Sequence, residues 1–343
     1  MKVHGIGIIS SIGRGVKSFS EALQQGPIAP KSSIYSPITK KEIPFFSVDD
    51  ALLKDKVVLN KSRRSDRFCK MAVLAAWDAF ADSGIEVEAN EKIGVIVATA
   101  FGPHKTTFNF LDNLLDYGDI GVSPTIFSHS VHNAAASYIS SALKISGPVC
   151  TITDFCFPFH EACKLADSWI NQGRCKYVIV GTVDELSSTM EYICDQKLNI
   201  RENGRINPFL FSDKTQTVPG EGSVFFLLSN SNNTAKYCSL TYGDEEKNPD
   251  IFILESDGMS LDESIYKDVD TGNAALFNCS SLFGGIMSST SFHCASAALM
   301  LKNNCLYLGF TKEAKNNKKN TISNIISVKF CCNKDKSVIN LKK

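Results

Sequence analysis

The stretch that most constrains the fold is 151–185, TITDFCFPFHEACKLADSWINQGRCKYVIVGTVDE. A β-rich run, 149–153, leads into a tight turn carrying Asp154, Phe155 and Cys156. Pro158 then suits the first turn of a helix, where its missing N–H costs nothing. Ala162, Leu165, Ala166, Trp169 and Ile170 follow at i, i+3, i+4, i+7 and i+8, one apolar stripe of an α-helix. Gly173 ends that helix, and 177–180 reads as a buried strand. The result is a β-α-β unit with a cysteine at the positive end of its helix. That field favours a thiolate nucleophile. A free cysteine also packs well as a small hydrophobe beneath a helix. Both readings fit this stretch taken alone.

Composition narrows the class. With 343 residues the chain can hold two halves, each with its own buried layer. Lysine plus arginine and aspartate plus glutamate both number 36, so the formal charge is zero and nothing points to nucleic acid or an anionic membrane. Twelve cysteines show no CxxC pair and no zinc spacing, so no metal is expected, and no cofactor either. Cys150, Cys163 and Cys294 sit in apolar runs, as reduced core thiols of a cytoplasmic protein do. MKVHGIGIIS is too short and glycine-rich for a signal peptide, and no apolar run is long enough to span a bilayer. A soluble, cytoplasmic protein is expected.

In chain order, strands alternate with helices, the pattern of an α/β protein. A strand at 3–10 precedes a helix around 19–24, and 27–50 reads as an irregular surface excursion. KSRRSDRFCK starts a helix through Phe68, Met71, Ala72, Ala75 and Ala79, stopped at Gly84. A strand at 93–98 and a helix over 108–115 follow, and Ala134 to Ala136 would let a further helix approach another backbone closely. The segment 196–207 is a polar loop, 220–228 a buried strand, and SNSNNTAK the best linker. The halves are therefore placed at 1–230 and 231–343. The second half holds strands near 238–242, 251–255, 304–308, 325–330 and 338–341 and a helix over 289–302, with 312–320 a solvated loop.

Several motifs in order carry a resemblance. VHGIGIISSIGRGVKSFSEAL, SRRSDRFCKMAVLAAWDAFADSGI, HNAAASYISSALKISGP and NPFLFSDKTQTVPGEGSVFFLL resemble consecutive segments of the β-ketoacyl synthases, and the distances from Cys156 to Gly173 and Gly181 match those beyond the family's nucleophile. The resemblance implies a thiolase-like fold of two βαβ-rich halves in α-β-α-β-α layers, assembled as a dimer. It also implies a catalytic cysteine and two histidines, which take up the acyl chain and stabilise the enolate and oxyanion.

The catalytic positions depart from that pattern. In the stretch matching the first-histidine motif, Glu255-Ser256-Asp257-Gly258-Met259, Asp257 stands where the imidazole belongs. Gly285 falls at the second histidine and Ser280 at the lysine that precedes it, while His293 lies about two turns into the following helix. The late glycine-rich loop is matched only by VKFCCNKDKSVINL. Asp257 is read as a turn carboxylate or, with a raised pKa, as an acid catalyst. His160 is read as a core or exposed histidine or an activating base, and His129 and His132 as structural hydrogen-bonding residues. After Cys156, Phe157 and Phe159 would narrow the space an acyl chain needs.

This combination resembles the chain length factor, the degenerate paralogue that pairs with a working ketosynthase in type II polyketide and fatty acid systems. SHSVHNAAASY and LFGGIMSSTSFHCASAAL look most like subunits of aryl polyene biosynthesis. The resemblance implies a subunit inactive alone, completing a heterodimeric β-ketoacyl synthase (an acyltransferase) and shaping its tunnel. Its partners would be the active ketosynthase paralogue, acyl carrier protein and the growing acyl or polyene chain. Phe127, Val131, His132, Asn133, Ala135 and Tyr138 are the expected interface residues, with Phe157 and Phe159 on the tunnel. Arg63, Arg64, Arg67 and Lys70 would dock carrier protein, or simply form a solvated helix start. The competing reading is a condensing enzyme or acyltransferase that works through Cys156 with an altered base.

Overall fold

The computed structural model describes all residues except 37–39, 89–90, 202, 231–233, 246–247, 261, 313–320 and 332. In the first half the elements are β1 (Lys2–Ser10), β2 (Gly13–Arg14), α1 (Gly15–Gln25), β3 (Ser32–Ser36), β4 (Lys41–Phe45), α2 (Arg67–Ser83), β5 (Ile93–Thr99), α3 (His104–Tyr117), α4 (Pro124–Ser130), α5 (Ala134–Leu143), β6 (Val149–Thr153), α6 (Pro158–Asn171), β7 (Tyr177–Asp184), α7 (Ser188–Lys197) and β8 (Gly222–Ser229). The second half holds β9 (Ser239–Tyr242), β10 (Ile251–Leu254), β11 (Ala275–Phe277), α8 (Thr290–Asn303), β12 (Thr311–Lys312), β13 (Asn324–Phe330) and β14 (Lys336–Lys342).

The strands run β12-β11-β10-β13-β14-β9-β1-β8-β7-β5-β6, joined across the middle by a single Lys2–Ser239 pairing. Each half repeats one topology. Numbering the five main strands of each half in chain order, both are arranged 3-2-4-5-1, with the first three spatial positions parallel and the rest antiparallel. This internal repeat is the thiolase-like architecture.

Side-chain alternation turns each strand into a two-faced divider. On β8, Val224, Phe226 and Leu228 enter the central core, whereas Phe225 and Leu227 face the outer layer. The central core is filled by α6 and α8, which lie between the two sheets. α2 and α5 cover the outer face of the first sheet. α2 sits directly on β1 because glycine faces alanine there: a Cβ on Gly7 would lie 1.9 Å from the Ala75 carbonyl oxygen. The outer face of the second sheet, with Phe252, Leu254, Ile326 and Val328, is covered by Phe211 and Tyr266 from a loop and a 3-10 turn (Ser264–Asp268) in place of a long helix.

Local signals set most boundaries. Asp66 caps α2 by accepting the Cys69 N–H at 2.8 Å, and Gly84 closes it in the left-handed region. The excursion after Pro27 contains the β3–β4 hairpin, contrary to the irregular reading. The strand expected over 304–308 is a loop ending in a 3-10 turn at Leu308–Phe310. Asn304 takes φ 49° and ends α8, and its Oδ1 accepts the Ile322 N–H, so the chain leaves the helix by a side-chain-held turn. β11 escaped the sequence reading because three residues carry no period. The linker reading falls partly on 231–233, and the loop reading of 312–320 largely on 313–320, both outside the described residues.

Candidate active site

The site lies where the strand ends of the two halves meet. β6 delivers its chain into the turn 154–157, where the Asp154 Oδ1 accepts the N–H of Cys156 at 2.6 Å and of Phe157 at 3.2 Å. The Asp154 N–H in turn reaches the Thr99 carbonyl at the end of β5. The β5 loop is itself clamped, because Asp184 Oδ1 accepts the Thr99 hydroxyl at 2.7 Å and the Ala100 N–H at 2.9 Å. Phe101 of that loop packs on Phe155 with ring centroids 5.2 Å apart. Three adjacent strand ends therefore fix Cys156 at the mouth of α6.

Its sulfur is not free. Cys156 is disulfide-bonded to Cys331, 175 residues away, with 5.4 Å between the Cα atoms. That spacing is ordinary for a disulfide. Cys331 follows β13 in a turn held by its N–H to the Asp335 carbonyl and its own carbonyl to the Lys334 N–H. The expectation of reduced thiols holds for Cys150, Cys163 and Cys294, which are unbonded, and is corrected for this pair. Neither cysteine side chain is fully buried.

The residues expected at the two imidazole positions, Asp257 and Gly285, are both engaged in local structure. Asp257 is buried and its Oδ1 accepts the Met259 N–H at 3.0 Å, a turn-closing carboxylate. Burial raises its pKa, opposed by the Lys329 charge. Glu263, which accepts the N–H groups of Asp257 and Gly258, is also raised by burial and by the Asp257 charge. Glu255 completes the group, accepting the hydroxyls of Thr290 at 2.6 Å and Ser327 at 2.7 Å, with burial again raising its pKa. Lys329 donates to the Met287 carbonyl and is the cation felt by Asp257 and Glu255.

Gly285, the residue expected at the second histidine position, is closely surrounded. Its N–H reaches the Val218 carbonyl at 2.8 Å and its carbonyl accepts the Gly220 N–H at 3.1 Å. A Cβ there would lie 2.3 Å from Thr217 Oγ1 and 2.7 Å from Met259 Cγ. Even Gly285→Ala is expected to cost about 1–3 kcal/mol by overpacking, and Gly285→His more. Urea unfolding of the alanine variant checks this, and an unchanged midpoint would refute it. Ser280, at the lysine position, is buried and spends both its N–H and its hydroxyl on Asn278 Oδ1.

His160 and His293 are fully buried on α6 and α8, and burial, with Lys329 adding to it, pushes both down to about 3. They are neutral core histidines. His293 Nδ1 lies 3.6 Å from Cys279 Sγ, and both ring nitrogens of His160 lack a hydrogen-bond partner among the described residues. His160 is therefore placed as a core residue and not as a base beside the thiol. Among the described residues no group of three or more His, Cys, Asp or Glu side chains could hold a metal ion, and no helix is long and apolar enough to cross a membrane.

Other expected residues divide clearly. Phe127, Val131, His132 and Asn133 are exposed, and Tyr138 is half-buried with its hydroxyl 2.5 Å from His129 Nε2. Ala135 is corrected: it is wholly buried in the core that α2 and α5 share, so the small-residue approach is used inside the subunit. Phe159 is likewise corrected, being fully buried against Phe226 at 5.3 Å and not beside the thiol. Phe157 stays at the turn, edge-on to His160 at 5.7 Å. Arg63 and Arg64 are exposed and Lys70 half-buried, but Arg67 turns inward onto Glu221, which is buried.

The acidic residues Asp184, Glu185 and Glu221 were missed, although VDE closing a strand and GEG opening one were visible in sequence. Glu185 Oε1 accepts the Lys105 N–H at 3.1 Å, and burial together with the Asp66 charge raises its pKa to about 8. The unfolded chain loses this proton near 4.5, so between 4.5 and about 8 the folded state binds more protons and rising pH disfavours folding. Glu185→Gln is expected to gain on the wild type by on the order of 1 kcal/mol per pH unit across that window. Parallel urea curves at pH 5, 6, 7 and 8 measure it, and a pH-independent difference would refute it.

Comparison with known proteins gives the family. The model "Beta-ketoacyl synthase, N-terminal domain" matches residues 2–233. The chain belongs to the β-ketoacyl synthase family. A curated relative, 3-oxoacyl-[acyl-carrier-protein] synthase 2 of Synechocystis sp., is 27% identical over 262 residues, covering 71% of this chain and 60% of that protein. The oxytetracycline polyketide putative β-ketoacyl synthase 1 of Streptomyces rimosus is 25% identical, over 78% and 68% respectively. The solved ishigamide ketosynthase/chain length factor superposes with a TM-score of 0.77 at 14% identity, over 100% of this chain and 98% of the other. This last likeness concerns the fold.

Proposed function

We infer that this chain is a non-catalytic, chain length factor-type subunit that pairs with an active ketosynthase and shapes the acyl tunnel of a type II polyketide or fatty-acid-like elongation system. Aryl polyene synthesis is the subtype its segments resemble most. The observation that carries this reading is at the expected second-histidine position: a Cβ on Gly285 would lie 2.3 Å from Thr217 Oγ1 and 2.7 Å from Met259 Cγ, so an imidazole there would have to displace both side chains, and the residue present supplies none. Asp257 at the first position is a hydrogen-bond acceptor committed to a turn. The nucleophile position is tied to Cys331. A ketosynthase partner would supply the missing cysteine and histidines.

The surface supports pairing. Among the described residues β6 pairs with β5 alone, which leaves the outer edge of the VCTIT strand open there, with Val149 43% exposed. An apolar edge of this kind is normally covered. Near it in the chain, α3, α4 and the turn between them expose Leu115, Tyr117, Ile120 and Phe127, and the turn after β6 exposes Phe155. Phe127→Glu is expected to leave the isolated fold intact and to split the heterodimer. An unchanged sedimentation profile with the partner would count against the assignment. Carrier-protein docking is assigned to Arg63, Arg64 and Lys70. Arg63 and Lys70 border a cleft with Leu53, Lys54, Lys56 and Asp55, where acidic and apolar contacts can both be met.

Intact-protein mass spectrometry after exposure to acyl-carrier-protein thioesters tests the function, with this chain alone and with a histidine-containing ketosynthase encoded beside it. An adduct on the partner only, with both chains co-purifying, is expected. An adduct on Cys156 that turns over would establish the competing reading, an acyltransferase with an altered site.

A further inference from the structure

Cys156 and Cys331 differ from the fully buried thiols of the core in ways that bear on reactivity. Cys163, Cys238, Cys279 and Cys294 are buried and unbonded, and burial pushes their pKa values up, which makes them inert. The bonded pair instead lies at the surface-facing meeting of the two halves, each residue only part buried. Cys156 stands two residues before Pro158, the first residue of the 14-residue helix α6. The helix terminus favours a thiolate as leaving group on Cys156.

We propose that Cys156–Cys331 is a thiol–disulfide exchange site that reacts reversibly with low-molecular-weight thiols and disulfides, and so sets whether a thiol is available at the nucleophile position. In the reducing direction a small thiolate attacks the Cys331 sulfur. The S–S bond breaks, its electron pair leaves on Cys156 as thiolate, and Cys331 carries the small thiol as a mixed disulfide. A second small thiolate attacks the incoming sulfur and expels the Cys331 thiolate, so one small-molecule disulfide is released and two protein thiols remain. Closure runs the same steps backwards with a small disulfide as oxidant, two electrons passing in each direction. The exchange does not rest on the partner reading, because every step is made by this chain alone.

The experiment uses the full chain, equilibrated in buffers spanning reduced to oxidised glutathione, acid-quenched, alkylated with iodoacetamide and mapped by peptide mass spectrometry. Cys156 and Cys331 should gain label together in one two-electron transition, with at least a tenfold rise in Cys156 labelling from the oxidised to the reduced end. Cys163 and Cys294, alkylated natively in parallel, should stay unlabelled. Equal labelling of Cys156 at both ends would overturn the proposal, as would a pair that stays joined at every ratio until denatured. In Cys331→Ser, native Cys156 should label under reducing conditions and take up glutathione under oxidising ones. A Cys156 that does neither is occluded, and that result would equally overturn it.

Discussion

Cys331→Ser is expected to lower the thermal midpoint by about 7 °C relative to the oxidised wild type. The disulfide closes 175 residues of chain and ties the first half to the second. In the chain-entropy picture a loop of that length removes roughly 5 kcal/mol of disorder from the unfolded state. At ~1.4 °C per kcal/mol for a chain of 343 residues, the shift follows. Serine matches the cysteine in size, so the folded state loses the bond and little packing. Calorimetry of variant and wild type, each with and without dithiothreitol, decides it. Reduction should bring the wild type down to the variant and leave the variant unmoved. If the two differ by less than ~2 °C when oxidised, the crosslink does not restrain the unfolded chain.

Arg67→Ala should cost about 3–5 kcal/mol of stability, while Arg63→Ala and Arg64→Ala stay within ~0.5. Arg67 Nε donates to both carboxylate oxygens of Glu221 at 3.1 and 3.0 Å, and its other nitrogens reach Asp50 and the Val48 carbonyl. Glu221 is 1% exposed and also accepts the N–H groups of Val48 and Leu186. Removing the guanidinium leaves that carboxylate buried without a counter-charge. Arg67→Lys should recover only part of the loss, because an ammonium cannot reproduce the forked contact. Denaturant titration reads the stability. Binding of acyl carrier protein to the folded variants should weaken for Arg63 and Arg64 and not for Arg67. A destabilised Arg63 variant, or a docking defect confined to Arg67, would reverse the division.

Much of the fold was legible because its causes are local. The alternation of Val224, Phe225, Phe226 and Leu227, the Asp66 and Gly84 ends of α2 and the Pro158 start of α6 are each decided within a few residues. So was the order of β and α elements, and with it the α/β class. The expectation that Asp257, Gly285 and Ser280 stand at the family's catalytic positions also came from residues read in place. What sequence could not give was contact between distant segments. Gly285 is closed to a side chain because Thr217 and Met259 stand against it, and Ala135 is unavailable because α2 covers it. Arg67 looked like its exposed neighbours until Glu221, 154 positions on, proved to be its partner. Cys156 read as a free thiol because Cys331 is 175 residues away. Local residue type determined which side chains stand at the expected catalytic positions. Only tertiary packing, which brings together groups that chain order keeps apart, decided which side chains remain free to act.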